Sequence, residues 1–400
     1  MATVHPFKAV RPNADAAADV ASVPYDVINS AEARDLADGN QRSFLHVIRP
    51  EIDLPPDVDE HADVAYETGA KNLRAFVAAD YTLQEAEPSV YLYRLVMNGR
   101  SQTGIFACVS VADYDADVIL KHELTRPSKE DDRTRHILEQ RAHAEPVMLT
   151  FRDVPAIDAL MSECMSAQPL YDFEAEDGVH HTVWRFPSAA EVVEAFARVP
   201  NLYVADGHHR CKAASRAAAE VGGETPEAGY FPAVLFPMGQ MKILAYNRII
   251  RKLPVDPSQF LAQLEIRFGV QPDVAPVPMR RGDIRVYLDG TWFGISLPES
   301  ERETVADGLD VGRLTEHILE PMLGITDPRR DPNIDFVGGI RGTAELERLV
   351  DGGKAEMAIA MYPTSIEELV DVSDAGLLMP PKSTWFEPKL RSGLLVHLFD

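Results

Sequence analysis

Short apolar runs broken by turn residues predict strands in this chain, and apolar positions at three-and-four spacing predict helices between them. Val90-Tyr-Leu-Tyr-Arg-Leu-Val96 and Gly104-Ile-Phe-Ala-Cys-Val-Ser-Val111, joined through Asn98-Gly99, read as a β-hairpin. Phe173 to Phe186, turning at Asp177-Gly178, reads as a second, and Ile284 to Leu297, turning at Asp289-Gly290, as a third. A helix is predicted from Ser128, where Ser128 and Asp131 imitate a capping box, to about His143, followed by a strand from Pro146 to Phe151. Ser188-Ala-Ala-Glu191 caps a helix carrying Val192, Val193, Phe196 and Val199.

A strand from Leu202 to Ala205 then leads through a loop into an Ala-rich helix from His209 to Val221. Phe231 to Phe236 and Ile243 to Ile250 are predicted to pair as strands. Helices follow at Gln259 to Phe268 and Val311 to Leu323, then a strand at Met357 to Met361. A helix capped by Thr364 and Glu367 and a strand from Leu394 to Phe399 end the chain. Strands outnumber crossover helices and several are joined by tight turns, so the expected class is α+β, with mixed, largely antiparallel sheets and packed helices. The Pro254 to Pro257 stretch marks a boundary, giving expected domains 1–253 and 254–400.

Composition narrows the function. The chain has 400 residues, ample for two cores, and a net charge of -24. Such a surface repels phosphate backbones and anionic lipid, which argues against nucleic-acid and membrane partners. An anionic small-molecule substrate would need a local basic pocket. Three separated cysteines form no CxxC pair, and the N-terminus lacks a signal pattern. No apolar run reaches the roughly 18 residues of a spanning helix. A reducing, cytoplasmic setting is expected.

The densest chemistry lies at Asp206-Gly207-His208-His209-Arg210. A strand ends, Gly207 lets the backbone bend, and a helix begins whose first amides lack internal partners. Those amides and the helix dipole suit a phosphate, with Arg210, His208 and His209 adding donors. Asp206 cannot bind phosphate; it can hold a metal ion or accept a proton. The plainer alternative is that Asp206 caps the helix and the histidines are solvated. A zinc site is disfavoured, because adjacent histidines seldom share an ion and no HExxH or Cys cluster accompanies them.

Lys121-His122-Glu123-Leu-Thr125 precedes Lys129, Asp132, Arg133 and His136, which share one face of the predicted helix, with Glu145-Pro146 after it. This constellation reads either as an ion-paired solvated face or as the wall of a substrate or metal pocket. Pro380-Pro-Lys-Ser-Thr384 is stiff and can offer Lys382, Ser383, Thr384 and the nearby Lys389 to an anion, or can be a packed loop. Tyr25 and Asp26, in Val23-Pro-Tyr-Asp-Val-Ile28, belong either to the same cleft or to a plain turn.

These segments in this order resemble domain-of-unknown-function family 1015, over nearly the whole chain. The Asp206 to Arg210 loop is also distantly similar to the phosphate loop of the ParB/sulfiredoxin superfamily, which includes free-serine kinases. That resemblance implies a ParB/sulfiredoxin-like core in a catalytic domain, with Gly207, His208, His209 and Arg210 on nucleotide phosphate. Lys382, Ser383 and Thr384 of the C-terminal domain would join them. Asp206 becomes the loop carboxylate, and Asp26 and Glu123 are candidates for the acidic residue of an earlier segment. Tyr25, His122, Thr125, Lys129, Arg133 and His136 are left as candidate substrate contacts. Where sulfiredoxin has its reactive Cys this chain has His208, so sulfinate repair is disfavoured.

The expectation is a phosphotransferase using ATP or ADP with Mg²⁺ on a small hydroxylated metabolite, free L-serine first, in a chain that forms a homodimer. The metal-binding residues stay open. Two alternatives use the same loop without an acceptor: a nucleotide-binding regulatory or sensor protein, and a nucleotide hydrolase.

Overall fold

Asn98 and Gly99 both take positive φ (52° and 74°), the twist a two-residue hairpin needs, and fold Tyr91–Met97 back on Arg100–Ser110. That hairpin is the middle of a nine-stranded sheet in the computed structural model, which describes residues 1–399, the Glu224 side chain excepted. From one edge the strands run Ile119–Leu120, Leu202–Asp206, Val147–Phe151, Tyr230–Pro237, Arg100–Ser110, Tyr91–Met97, His180–Arg185 and Tyr171–Glu174. Val4–His5 pairs with Arg100–Ser110 off this path. Two pairings are parallel: Leu202–Asp206 with Ile119–Leu120, and Tyr230–Pro237 with Val147–Phe151. The others are antiparallel, so the class is mixed α+β, as the turns implied.

The chain divides into two compact units, Met1–Met241 together with the residues from Pro388 onward, and Lys242–Glu387. The division falls before Pro254 because Tyr246–Ile250 pairs with Met357–Met361 and Ile334–Gly338. For the same reason Tyr230–Pro237 and the Ile243 to Ile250 stretch, expected to pair, lie in different sheets. The tail returns to the first unit through Ser22↔Ser392, Val10↔Val396 and His397↔His143. Of the final strand expected at Leu394 to Phe399, only His397–Leu398 is in strand geometry.

The first unit's largest core lies under the sheet, where Leu92, Ile105, Ala107, Leu149, Val204, Phe231 and Leu235 meet Val192, Phe196 and Cys211 from helices. The second unit wraps Phe260, Leu264, Leu314 and Ile318 against an all-antiparallel six-stranded sheet. Among the described residues, no helix is long and apolar enough to cross a membrane.

Several helix ends differ from expectation. The helix Pro127–Gln140 starts on Pro127, with Arg126 as an N-cap whose side chain makes no cap bond; Ser128 lies inside it. It stops at Gln140 because Arg141 adopts the left-handed conformation. The stretch from Val311 to Leu323 is no single α-helix. It widens into a π turn at Thr315–Leu319, where Pro321 next in line lacks the amide an α-helical ladder requires. The capping box near Thr364 is made by Ser365 and Glu368, one residue on.

Candidate functional site

Topology assembles the site at one end of the nine-stranded sheet. Parallel pairing of Leu202–Asp206 with Ile119–Leu120 brings the chain after Leu120, including His122, beside the chain after Asp206. Antiparallel pairing with Val147–Phe151 brings Glu145 and Pro146 to the same end. The register shifts between Val204 and Asp206, and such a bulge re-aims the side chain that follows it. Finally, Ser22 pairs antiparallel with Ser392, so the segments carrying Tyr25 and Lys389 run alongside each other.

Gly207 is at φ 103°, and a Cβ there would sit 3.1 Å from both Arg210 Nε and Val147 Cγ1. The bend therefore requires glycine twice over, for conformation and for space. The helix His208–Val221 begins immediately, and no side chain caps it. Asp206 does not serve as a cap. Its Oδ2 accepts from Lys389 Nζ at 3.1 Å and lies 3.8 Å from an Arg210 nitrogen. Burial disfavours its charge, but the Lys389 and Arg210 cations outweigh that and hold the carboxyl well below its usual range.

Arg210 is buried. Its guanidinium donates to the Pro146 carbonyl, and its Nε has no hydrogen-bond partner. Burial opposes its charge, yet Asp26, Asp206 and Glu145 more than compensate. Arg133 stacks over the Tyr25 ring at 3.9 Å and pairs with Asp132 (2.9 Å) and Glu145 (3.4 Å). Glu145 also accepts from the Tyr25 amide at 3.2 Å, and burial pushes its carboxyl up despite the two arginines. Asp26 is exposed at the rim of this cluster.

The histidines differ. His208 is buried with its ring edge-on to His122 at 4.4 Å, and it accepts from the His122 amide at 3.5 Å. Burial lowers its pKa to about 4, against the pull of Asp206. His122 is driven well below its usual value by burial and by His208. His209 is partly exposed and accepts from the Arg126 amide at 3.1 Å. His208 thus sits neutral, and both loop histidines tie the loop to its neighbours.

Beneath the loop lies a cavity of about 30 Å³, lined by Arg133, His136, His143, Glu145 and Arg210 among others. That is room for a water molecule. His136 Nδ1 and His143 Nε2 have no hydrogen-bond partner, as with Arg210 Nε.

The structure therefore gathers Tyr25, Asp26, His122, Arg133, Asp206, His208 and Arg210, with Glu145 and Lys389 completing the group. Glu123 follows His122 and is partly exposed. The Thr125 hydroxyl donates to Glu130 at 2.5 Å, and Thr125 and Lys129 are both partly exposed. His136 packs against Tyr66 at 4.7 Å and lines the cavity rather than the open side of the loop. Lys382, Ser383 and Thr384 belong to the second unit. There the Ser383 hydroxyl donates to Pro380 at 2.6 Å, Arg248 to the Lys382 carbonyl at 3.0 Å, and Lys382 Nζ lies 5.4 Å from the Tyr246 ring centre. The pairing of Asp206 with Lys389 was missed by sequence reasoning. Only the density of the Pro-Lys-Leu-Arg stretch hinted at it.

No curated protein matches this chain. Among solved structures, SbnI with C-terminal truncation from Staphylococcus aureus is similar at 14% identity and a TM-score of 0.38, over 73% of this chain and 87% of that one. A free serine kinase in complex with AMP is similar at 11% identity and a TM-score of 0.35, over 72% and 91%. A conserved hypothetical protein from Pyrococcus furiosus is similar at 12% identity and a TM-score of 0.35, over 72% and 94%. The model of the family described as protein of unknown function (DUF1015) matches residues 4–312, and the chain belongs to that family.

Proposed function

We propose that the first unit is a nucleotide-dependent phosphotransferase acting on a small hydroxylated metabolite, with free L-serine as the first acceptor to test. One observation carries the proposal: a helix with no side-chain cap begins at a left-handed glycine beside a carboxylate held ionised by a lysine and an arginine. The first amides of His208–Val221 present partial positive charge to a phosphate, and Gly207 supplies the left-handed bend from which that helix starts. Phosphoryl transfer needs mainly positioning and charge neutralisation, which these groups supply without a covalent nucleophile.

Asp206 is a poor proton acceptor, because a carboxyl held so low gives up little free energy on taking a proton. Its part is to orient cations. Asp26, exposed and facing Arg210, is the better placed group to take the acceptor's hydroxyl proton. Among the described residues no three His, Cys, Asp or Glu side chains cluster as a metal site. Magnesium fits only as an ion carried in on the nucleotide's phosphates, with Asp26 or Glu123 as protein donor, where it would neutralise phosphate charge.

The test is phosphorus NMR on the full chain with ATP or ADP, Mg²⁺ and a panel of hydroxy amino acids. A phosphorylated acceptor is the expected outcome. Saturable nucleotide binding without product would favour a regulatory protein, a reading that the low proton affinity of Asp206 favours. Phosphate release without an acceptor would favour a hydrolase. Neither binding nor turnover ends all three.

A further inference from the structure

We propose that Lys389, delivered by the C-terminal tail and presented by Asp206, is the cation that meets the ligand's phosphate. The proposal rests on the phosphate site described above and goes beyond it by replacing the guanidinium that the loop's own sequence suggests.

Arg210 is badly placed for that task. It is 8% exposed, donates to the Pro146 carbonyl, and lies directly beneath Gly207. Asp26, Asp206 and Glu145 surround its charge. Withdrawing it toward a ligand would take a counter-charge from Asp206 and from the buried Glu145 carboxylate. Arg133 is 6% exposed and bound in the same way, between Asp132, Glu145 and the Tyr25 ring.

Lys389 is different in position and in chemistry. Its Nζ rests 3.1 Å from Asp206 Oδ2, and the Asp206 side chain is 28% exposed, the more open end of the pair. An ammonium on a four-carbon stem has three rotatable donors. It can keep one N–H on Asp206 and turn another to a phosphate oxygen at the uncapped helix start. The Ser22↔Ser392 pairing anchors the tail three residues further on, so the stem pivots from a fixed backbone. Without this lysine, only the buried Arg210, 3.8 Å away, would offset the Asp206 carboxylate beside the incoming phosphate, and repulsion would grow.

Calorimetric titration of the full chain with ADP tests this. Lys389→Met is expected to weaken the dissociation constant roughly tenfold or more, and Lys389→Arg to stay within about threefold of wild type. Asp206→Asn weakens binding as well, because the ammonium loses its guide. The double variant is expected to be no weaker than the poorer single one, since both changes remove one device. Wild-type affinity should also fall more steeply with added salt than that of Lys389→Met, which has one charge contact fewer to screen.

Wild-type affinity in Lys389→Met, losses that multiply in the double variant, or equal salt slopes would each overturn the proposal while leaving the phosphate site standing. If Lys389→Met fails to fold, Lys389→Arg decides: a loss as large as tenfold there overturns it, and retention supports it. A wild-type chain that binds neither ADP nor inorganic phosphate overturns the site and this proposal together.

Discussion

The loop at Asp206 and the loop at Lys382 look alike in sequence, each dense in polar and basic residues around a bend. They differ in where their hydrogen bonds go. At Lys382 the polar groups close on themselves: Ser383 on Pro380, Thr364 on Ser383 and Arg248 on the Lys382 carbonyl. At Asp206 the helix start is uncapped, Arg210 Nε lacks a partner, and carboxylates from three segments crowd the Arg210 guanidinium. The first pattern is what a stable turn needs. The second leaves polar capacity unused and is costly unless a ligand uses it.

Substitution breaks that comparison most sharply at Asp206. Asp206→Asn is expected to lower kcat/KM about a hundredfold or more, since mispositioned cations cost that much in transfer reactions. Ser383→Ala, measured in parallel, should leave kcat/KM unchanged. Equal losses in both variants would erase the distinction between the loops.

Acid separates the two units next. His122, His136, His143, His181 and His208 are all buried in the first unit, and burial pushes each pKa down. The unfolded chain therefore binds protons that the folded unit refuses, and stability falls as pH drops from about 6.5 toward each folded value. His208 alone, at about 4, corresponds to roughly 3 kcal/mol lost across that window. The second unit contains only His317. Hydrogen exchange at pH 7 and pH 5 should show protection lost in the Leu202–Asp206 and Val147–Phe151 strands before Met357–Met361. The reverse order would contradict it.

Glycine separates them further. Gly207→Ala meets both a φ of 103° and a side chain at 3.1 Å, and should cost about 1–3 kcal/mol and disturb ADP binding. Gly338→Ala places a Cβ 2.7 Å from the Trp385 ring and should cost about 1–3 kcal/mol in the second unit, with nucleotide affinity kept. Thermal unfolding and calorimetry on both variants read the difference.

What was legible in the sequence was local. Asn98-Gly99, Asp177-Gly178 and Asp289-Gly290 each announce a hairpin because few residues tolerate the backbone their turns need, and all three form. The strand, bend and helix around Gly207 were legible for the same reason. Partners chosen across long stretches of chain were not. Nothing in Tyr230–Pro237 says that it pairs with Arg100–Ser110 and Val147–Phe151 rather than with the strand that follows. Nothing near Ser22 points to Ser392, although that pairing brings the Tyr25 and Lys389 segments together.

The smallest effect concerns a cap that sequence could not assign. Thr364 and Ser365 both carry hydroxyls three residues ahead of a glutamate, so either satisfies the pattern. The structure separates them: Ser365 accepts from the Glu368 amide at 3.1 Å, while Thr364 donates to the Ser383 carbonyl at 2.9 Å. Ser365→Ala removes a helix cap and should cost about 1 kcal/mol. Thr364→Val removes a tether of the Lys382 loop and should cost a similar amount, since the Ser383 carbonyl loses its donor. If the Asp206 loop alone is built for a ligand, both losses appear in the unfolding of the second unit and neither appears in the ADP titration. A weakened titration with Thr364→Val would mean that the Lys382 loop also serves the ligand.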